Sequence, residues 1–151
     1  MTILENIKAV LSEQVNGYRS LMELLQRERE CLMQFNAAGV ETLSKEKDTV
    51  VLKLRLLEEE RVRLVGAYAA TNNVTGELSL QRLTELTNDK TFHDIRLRLL
   101  SLLQSIVELN EFNRVLIERS TSVVKSALTF LGSFGLKLPL RSTGTLISRE
   151  A

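Results

Sequence analysis

The sequence predicts an all-α fold: an elongated antiparallel bundle of three long helices plus one short helix, with a flexible C-terminal tail. Three observations predict it. The single proline of the 151 residues is Pro139, so nothing in the first 130 positions locks φ or removes a backbone donor. The β-branched and aromatic alternation between turn clusters that marks strands is missing from that stretch. Apolar residues recur instead in alternating steps of three and four, the period of one helix face.

The first helix carries Leu4, Ile7, Leu11, Tyr18, Leu21, Leu25, Leu32 and Phe35 on its apolar stripe, with Gln14 and Glu28 as polar interruptions. It is expected to end near Asn36 to Gly39, because glycine accepts the left-handed backbone of a helix C-terminus. A second helix from about Val40 carries Leu43, Val50, Leu54, Leu57, Leu64 and Tyr68, interrupted by Lys47 and Arg61. Its outer face sets Glu41 four before Lys45, Arg55 four before Glu59 and Glu59 four before Arg63, each pair contributing roughly 0.2–0.5 kcal/mol. TNNVTG, residues 71–76, breaks the pattern with turn-forming residues. Ser79 is placed to cap a short helix bearing Leu80, Leu83 and Leu86. A third long helix opens near Asn88, with Thr91 and Asp94 spaced as an Asp-ended capping box, and runs to about Phe130 or beyond. The helical bundle is thus expected over residues 1–132 and the tail over 133–151.

The last helix holds two apolar stripes. One is Phe92, Ile95, Leu99, Leu102, Ile106, Leu109, Leu116, Val123, Ala127 and Phe130; the other, offset by one residue, is Leu100, Leu103, Val107, Ile117, Val124, Leu128 and Leu131. Together they are wider than the seam of a simple coiled coil, so this helix expects two neighbours. At about 1.5 Å per residue it would be about 64 Å long, against about 50 Å and 45 Å for the other two. An overhang of roughly ten residues, about 15–20 Å, follows. Its residues, Val123, Val124, Ala127, Leu128, Phe130 and Leu131, stay apolar, and the tail adds Phe134, Leu136, Leu138 and Leu140. Such a surface docks another chain, in the manner of a helix laid in a groove or alongside a partner helix.

Within VELNEFNRVLIERS, residues 107–120, Asn110 and Asn113 fall on the apolar face near Ile117. Two roles stand open for these amides. They pair with a neighbouring helix and fix its register, or they bond to a docked chain.

Other functions find little support. The 20 basic and 19 acidic side chains nearly cancel, leaving a formal charge of +1 and no broad field for nucleic acid or an anionic membrane. Cys31 is the sole cysteine, which excludes an internal disulfide and fits a reducing compartment. Glu5 and Lys8 interrupt what a signal peptide would need as its apolar core, and no run of 18 apolar residues occurs. A cytoplasmic chain is expected. The one histidine, His93, has no clustered ligand partners, and Cys31 has no histidine in its helix to act as base. No phosphate loop, HExxH or Glu-x-x-His pair is present. Catalysis, a metal and a cofactor are therefore not expected.

Four blocks carry a family resemblance: LMELLQREREC, SKEKDTVVLKLRLLEEERVRL, LSLQRLTEL and LLSLLQSIVELNEFNRVLIERSTSVVKSALTFL. In the last, Asn110 and Asn113 are followed by Arg114, Leu116, Ile117 and Glu118. The chain resembles the FlgN-type flagellar export chaperones. The resemblance implies a small helical, non-enzymatic cytosolic protein that holds the hook-filament junction proteins FlgK and FlgL by their C-terminal helical segments before type III export. It places the client surface on the C-terminal helix, and the residues nominated here are Asn110, Asn113, Ile117, Val123, Val124, Ala127, Leu128, Phe130, Leu131 and Phe134. It further implies contact with the export gate protein FlhA, made in family members through a tyrosine near the C-terminus. The two tyrosines of this chain are Tyr18 and Tyr68, so any such contact would lack that residue. The competing reading is a structural coiled-coil protein forming a homo-oligomer. A monomer or weak homodimer fits the chaperone; a tight dimer burying residues 123 to 138 fits the structural protein.

Overall fold

The computed structural model describes residues 2–133 and residue 135; the rest of the expected tail, Phe134 included, lies outside the described residues. Four helices and no strands occur among them: α1 (Ile3–Met33), α2 (Ala37–Thr71), α3 (Leu80–Thr87) and α4 (Lys90–Gly132).

Each boundary has a local cause, and two of them differ from expectation. Asn36 N donates to Cys31 O at 2.8 Å and Phe35 N to Leu32 O at 3.2 Å, the paired bonds of a Schellman cap. The left-handed residue of that cap is Phe35, at φ 53°, where the sequence pointed to Gly39. Gly39 lies instead in the first turn of α2, where a Cβ would come within 2.7 Å of Cys31 Sγ. Its missing side chain lets the two helices close up. Asn36 then starts α2, its Oδ1 accepting from Gly39 N at 3.0 Å, so the turn needs only three residues. Ser79 caps α3 as expected, accepting from Arg82 N at 3.1 Å. The cap of α4 is Asp89, whose Oδ1 accepts from Thr91 N at 3.0 Å. The Thr91–Asp94 box is not used, because Asp89 stands immediately before Lys90 and reaches the unbonded first N–H groups directly.

In the second half of α2 the surface pairs differ from expectation. Arg61 grips Glu58 and Arg63 grips Glu60, both three apart, so Arg63 is taken by Glu60 where Glu59 was expected. Both oxygens of each carboxylate are held by a guanidinium fork, a geometry that a single contact does not match.

The chain divides into two compact units. One comprises Met1–Met22 and Asp48–Ile106, the other Glu23–Lys47 and Val107–Ala151. The first holds the larger core, in which Ile7, Leu11, Val15, Leu64, Leu78, Leu83, Phe92 and Ile95 are buried together. Gly17 admits Leu54 closely, since a Cβ would lie 2.7 Å from Leu54 Cδ2, and Gln14 Nε2 donates to Glu58 Oε2 at 2.9 Å. These contacts run α1 and α2 antiparallel here. Lys8 pairs with Asp89 and sits 5.4 Å from the Phe92 ring centre, tying the start of α4 to α1.

The second unit is organised around the α1–α2 turn. Leu32, Val40 and Ile117 form its small apolar cluster, with Cys31 and Leu116 packed against them. The two neighbours expected along the wide face of α4 are only partly present. Leu100 and Leu103 in the first unit, and Val107, Val123 and Val124 in the second, are exposed.

Candidate functional site

In the second unit the turn and α4 enclose an apolar groove. Leu32 and Phe35 reach it from the end of α1, Asn36, Ala37 and Val40 from the start of α2, and Ile117, Thr121 and Val124 from α4. The α4 residues recur at steps of four and three, so one helix face supplies that wall. The space is about 240 Å³ and no charged side chain lines it. Such a groove accepts apolar side chains, with the side chains of Asn36, Ser120 and Thr121 as its polar groups.

Phe35 stands at its mouth under unusual conditions. A bulky residue in the left-handed region costs about 1–2 kcal/mol, and Phe35 sits there at φ 53°. It is also 68 % exposed, forgoing about 1.5–3 kcal/mol that burial of an aromatic side chain contributes. Backbone strain and an exposed ring thus coincide at one residue beside an apolar groove. Strain of this kind concentrates at binding sites.

Beyond Val124 the helix continues without groove contacts. Val123 is 58 % and Phe130 64 % exposed; Lys125, Ser126 and Ala127 are exposed, while Leu128 and Leu131 are half-buried. The hairpin tip therefore meets α4 at about Thr121 to Val124, close to where the length argument ended the covered part.

The two asparagines separate. Asn110 is exposed, whereas Asn113 is buried at 1 % exposure, so the apolar face on which the sequence placed both amides turns only one of them inward. A spacing of three advances about 300° around the helix, and the contact with α1 is narrow enough to include only one of them. Asn113 Nδ2 donates to Leu25 O at 2.9 Å and to Glu28 Oε1 at 2.8 Å. With two acceptors facing one nitrogen, the orientation of the amide is fixed. Glu28 is itself fully buried, and its Oε2 lies 2.5 Å from Lys47 Nζ. Three polar residues from α1, α2 and α4 thus meet in this unit. Asn113 Oδ1 is buried without a hydrogen-bond partner among the described residues.

The next residue, Arg114, holds Glu111 through two bonds of 3.0 and 2.6 Å and also pairs with Glu118. The bond from Arg114 draws the Glu111 carboxyl below its usual range, and the two carboxylates raise the guanidinium further above its own.

Of the nominated residues, the structure brings Ile117 and Val124 to the groove, places Val123, Ala127 and Phe130 on exposed helix beyond it, and makes Asn113 part of an internal cluster. Ile117 is buried and serves as groove floor. Sequence reasoning missed Leu32, Phe35 and Val40 as a site, because their spacing reads equally well as ordinary core. An aromatic directly before the Asn36 turn was the available signal. Among the described residues no group of three or more His, Cys, Asp and Glu could hold a metal ion, and no helix is long and apolar enough to cross a membrane.

The family model described as FlgN protein matches residues 1–134. No curated protein and no solved structure matches the chain.

Proposed function

The chain belongs to the FlgN family of flagellar export chaperones, and from that premise we propose that it acts in the cytoplasm on the hook-filament junction proteins FlgK and FlgL. It holds their C-terminal helical segments against the groove and the last turns of α4 before type III export. The observation that carries this reading is the conjunction of strained, exposed Phe35 with an uncharged groove whose α4 wall continues along the same helix face to Ala127, Leu128 and Leu131, beyond the last groove residue. An amphipathic client helix would place apolar residues at steps of three and four into the groove and along these turns, covering surface the chaperone leaves in water. The chemistry is non-covalent. A chain held this way is kept from folding or associating until it is released. Docking to the gate protein FlhA is the further step that family membership suggests, made without a C-terminal tyrosine.

The test is capture of purified FlgK and FlgL C-terminal segments by the full chain, by a chain ending at residue 122, and by Phe35→Gly. Truncation is expected to abolish capture. Phe35→Gly relieves the left-handed strain, so its urea midpoint stays level or rises, while Kd for the segment weakens by about tenfold or more, as loss of an aromatic anchor does. Undiminished capture by both variants would remove the proposal.

A further inference from the structure

A different face of α4 in the second unit, turned away from the groove residues, carries exposed apolar side chains between charged ones. Glu108, Phe112, Val115 and Arg119 follow one another at steps of four, three and four, the spacing of a coiled-coil seam. At 100° per residue they fall within about 60° of one another on the helix. With Val107, Glu111 and Leu116 they line a shallow apolar trough to which no other helix contributes a residue. Val107 is 66 % and Phe112 48 % exposed. Ridges and troughs of this kind receive a second helix.

The order of residues decides which helix. Read from either end, the seam is charge, apolar, apolar, charge, with the acid at one end and the base at the other. A two-fold axis midway between Asn113 and Arg114 carries Glu108 onto Arg119 and Phe112 onto Val115. An antiparallel pairing of two copies therefore sets each Glu108 against the other copy's Arg119, at both ends of a centre formed by Phe112 and Val115. A parallel pairing would stack like charges on each other at both ends. The neighbouring charges do not compete for these roles, since Arg114 already holds Glu111 and Glu118. Glu108 and Arg119 make no ion pair among the described residues. They stand eleven positions apart, about 16 Å along the helix, too far to pair within one chain.

We propose that this face is a self-association surface: the full chain forms a weak antiparallel homodimer through Glu108, Phe112, Val115 and Arg119. The seam is short and half-exposed, so the dimer is concentration-dependent, and an isologous contact of this type closes after two subunits. It is separable from the client reading, because the groove residues Ile117, Thr121 and Val124 lie on the opposite side of the helix.

Sedimentation velocity across a concentration series tests it. The full chain should move from monomer to dimer. Glu108→Arg and Arg119→Glu singly should each weaken dimerisation by about tenfold, since each puts like charges opposite one another twice. The double variant Glu108→Arg/Arg119→Glu should restore the dimer to within about threefold of the original, a reciprocity that only an antiparallel pair of copies requires. Glu108, Phe112 and Arg119 are exposed, so helicity and melting should not change, and circular dichroism checks this. A monomer at every concentration overturns the proposal, as does a double variant no better than the singles. Single reversals that lower client capture and leave self-association untouched would give the face to a client instead.

Discussion

Two polar clusters interrupt the apolar stripes of this molecule, and they differ in depth. In the first unit Gln14 is buried but reaches Glu58, whose other partner, Arg61, lies with it at the surface. In the second unit Glu28 and Asn113 are closed off almost completely and Lys47 nearly so. Water can take over from a lost partner at Glu58 and Arg61, which lie at the surface. In the second cluster it is largely excluded, and the cluster is held through Glu28, which faces both Lys47 and Asn113. The contrast teaches that a polar residue on an apolar stripe carries little meaning until its access to solvent is known. At the deep cluster a partner must come from each helix, so α1, α2 and α4 are held in one register; at the shallow one a slip would be tolerated.

The sharpest way to break this contrast is Glu28→Ala. It removes the carboxylate that Lys47 faces and one of the two acceptors of Asn113 Nδ2 in a closed site, and about 3–5 kcal/mol of stability should be lost, seen as a fall in the urea midpoint. A loss comparable to that from Glu58→Ala would show the second cluster to be no deeper in practice than the first. Next in size is Asn113→Ala, expected to cost about 1–3 kcal/mol because Glu28 Oε1 and Leu25 O lose a donor. Asn110→Ala, at an exposed position, should stay within about 0.5 kcal/mol. If both asparagine variants behave alike, the assignment of register to Asn113 fails.

The smallest effect belongs to the surface cluster and depends on pH. The fork of Arg61, with help from Gln14, holds the Glu58 carboxyl below its ordinary value. The unfolded chain therefore binds a proton at higher pH than the folded chain does, and stability rises with pH through that window. The contribution is present above about pH 4.3, the ordinary glutamate value, and fades as pH falls through the depressed folded value. Half-exposed as the pair is, it amounts to at most about 1 kcal/mol. Glu58→Gln should flatten the acid limb of a midpoint-against-pH curve only in part, because Glu60, Asp89 and Glu111 are lowered by their own partners too. An unchanged acid limb would deny Glu58 any share in it.

How much of this was legible in the sequence varies by residue. The helices were, because their apolar period is local and survives its few polar interruptions: Ser79 and the stretch after Thr71 sit where expected. The turn was not. Gly39 is the better left-handed residue, yet the backbone gave that position to Phe35 and used Gly39 for close approach to Cys31. Glu28, Lys47 and Asn113 were each visible as polar interruptions on separate helices, but nothing local indicates that they meet. The groove was hidden for the same reason, since Leu32, Val40 and Ile117 look like any other core positions.

By itself the sequence determined the number, type and approximate lengths of the helices, the surplus of apolar surface on α4 and the family, because these follow from periodicity, breakers and residue order along one chain. Only the tertiary structure decided which polar residues share a site, which of two asparagines faces inward and which apolar residues stay in water. Those depend on the rotation of each helix about its axis and on what stands opposite, and both are set by packing between segments far apart in the chain.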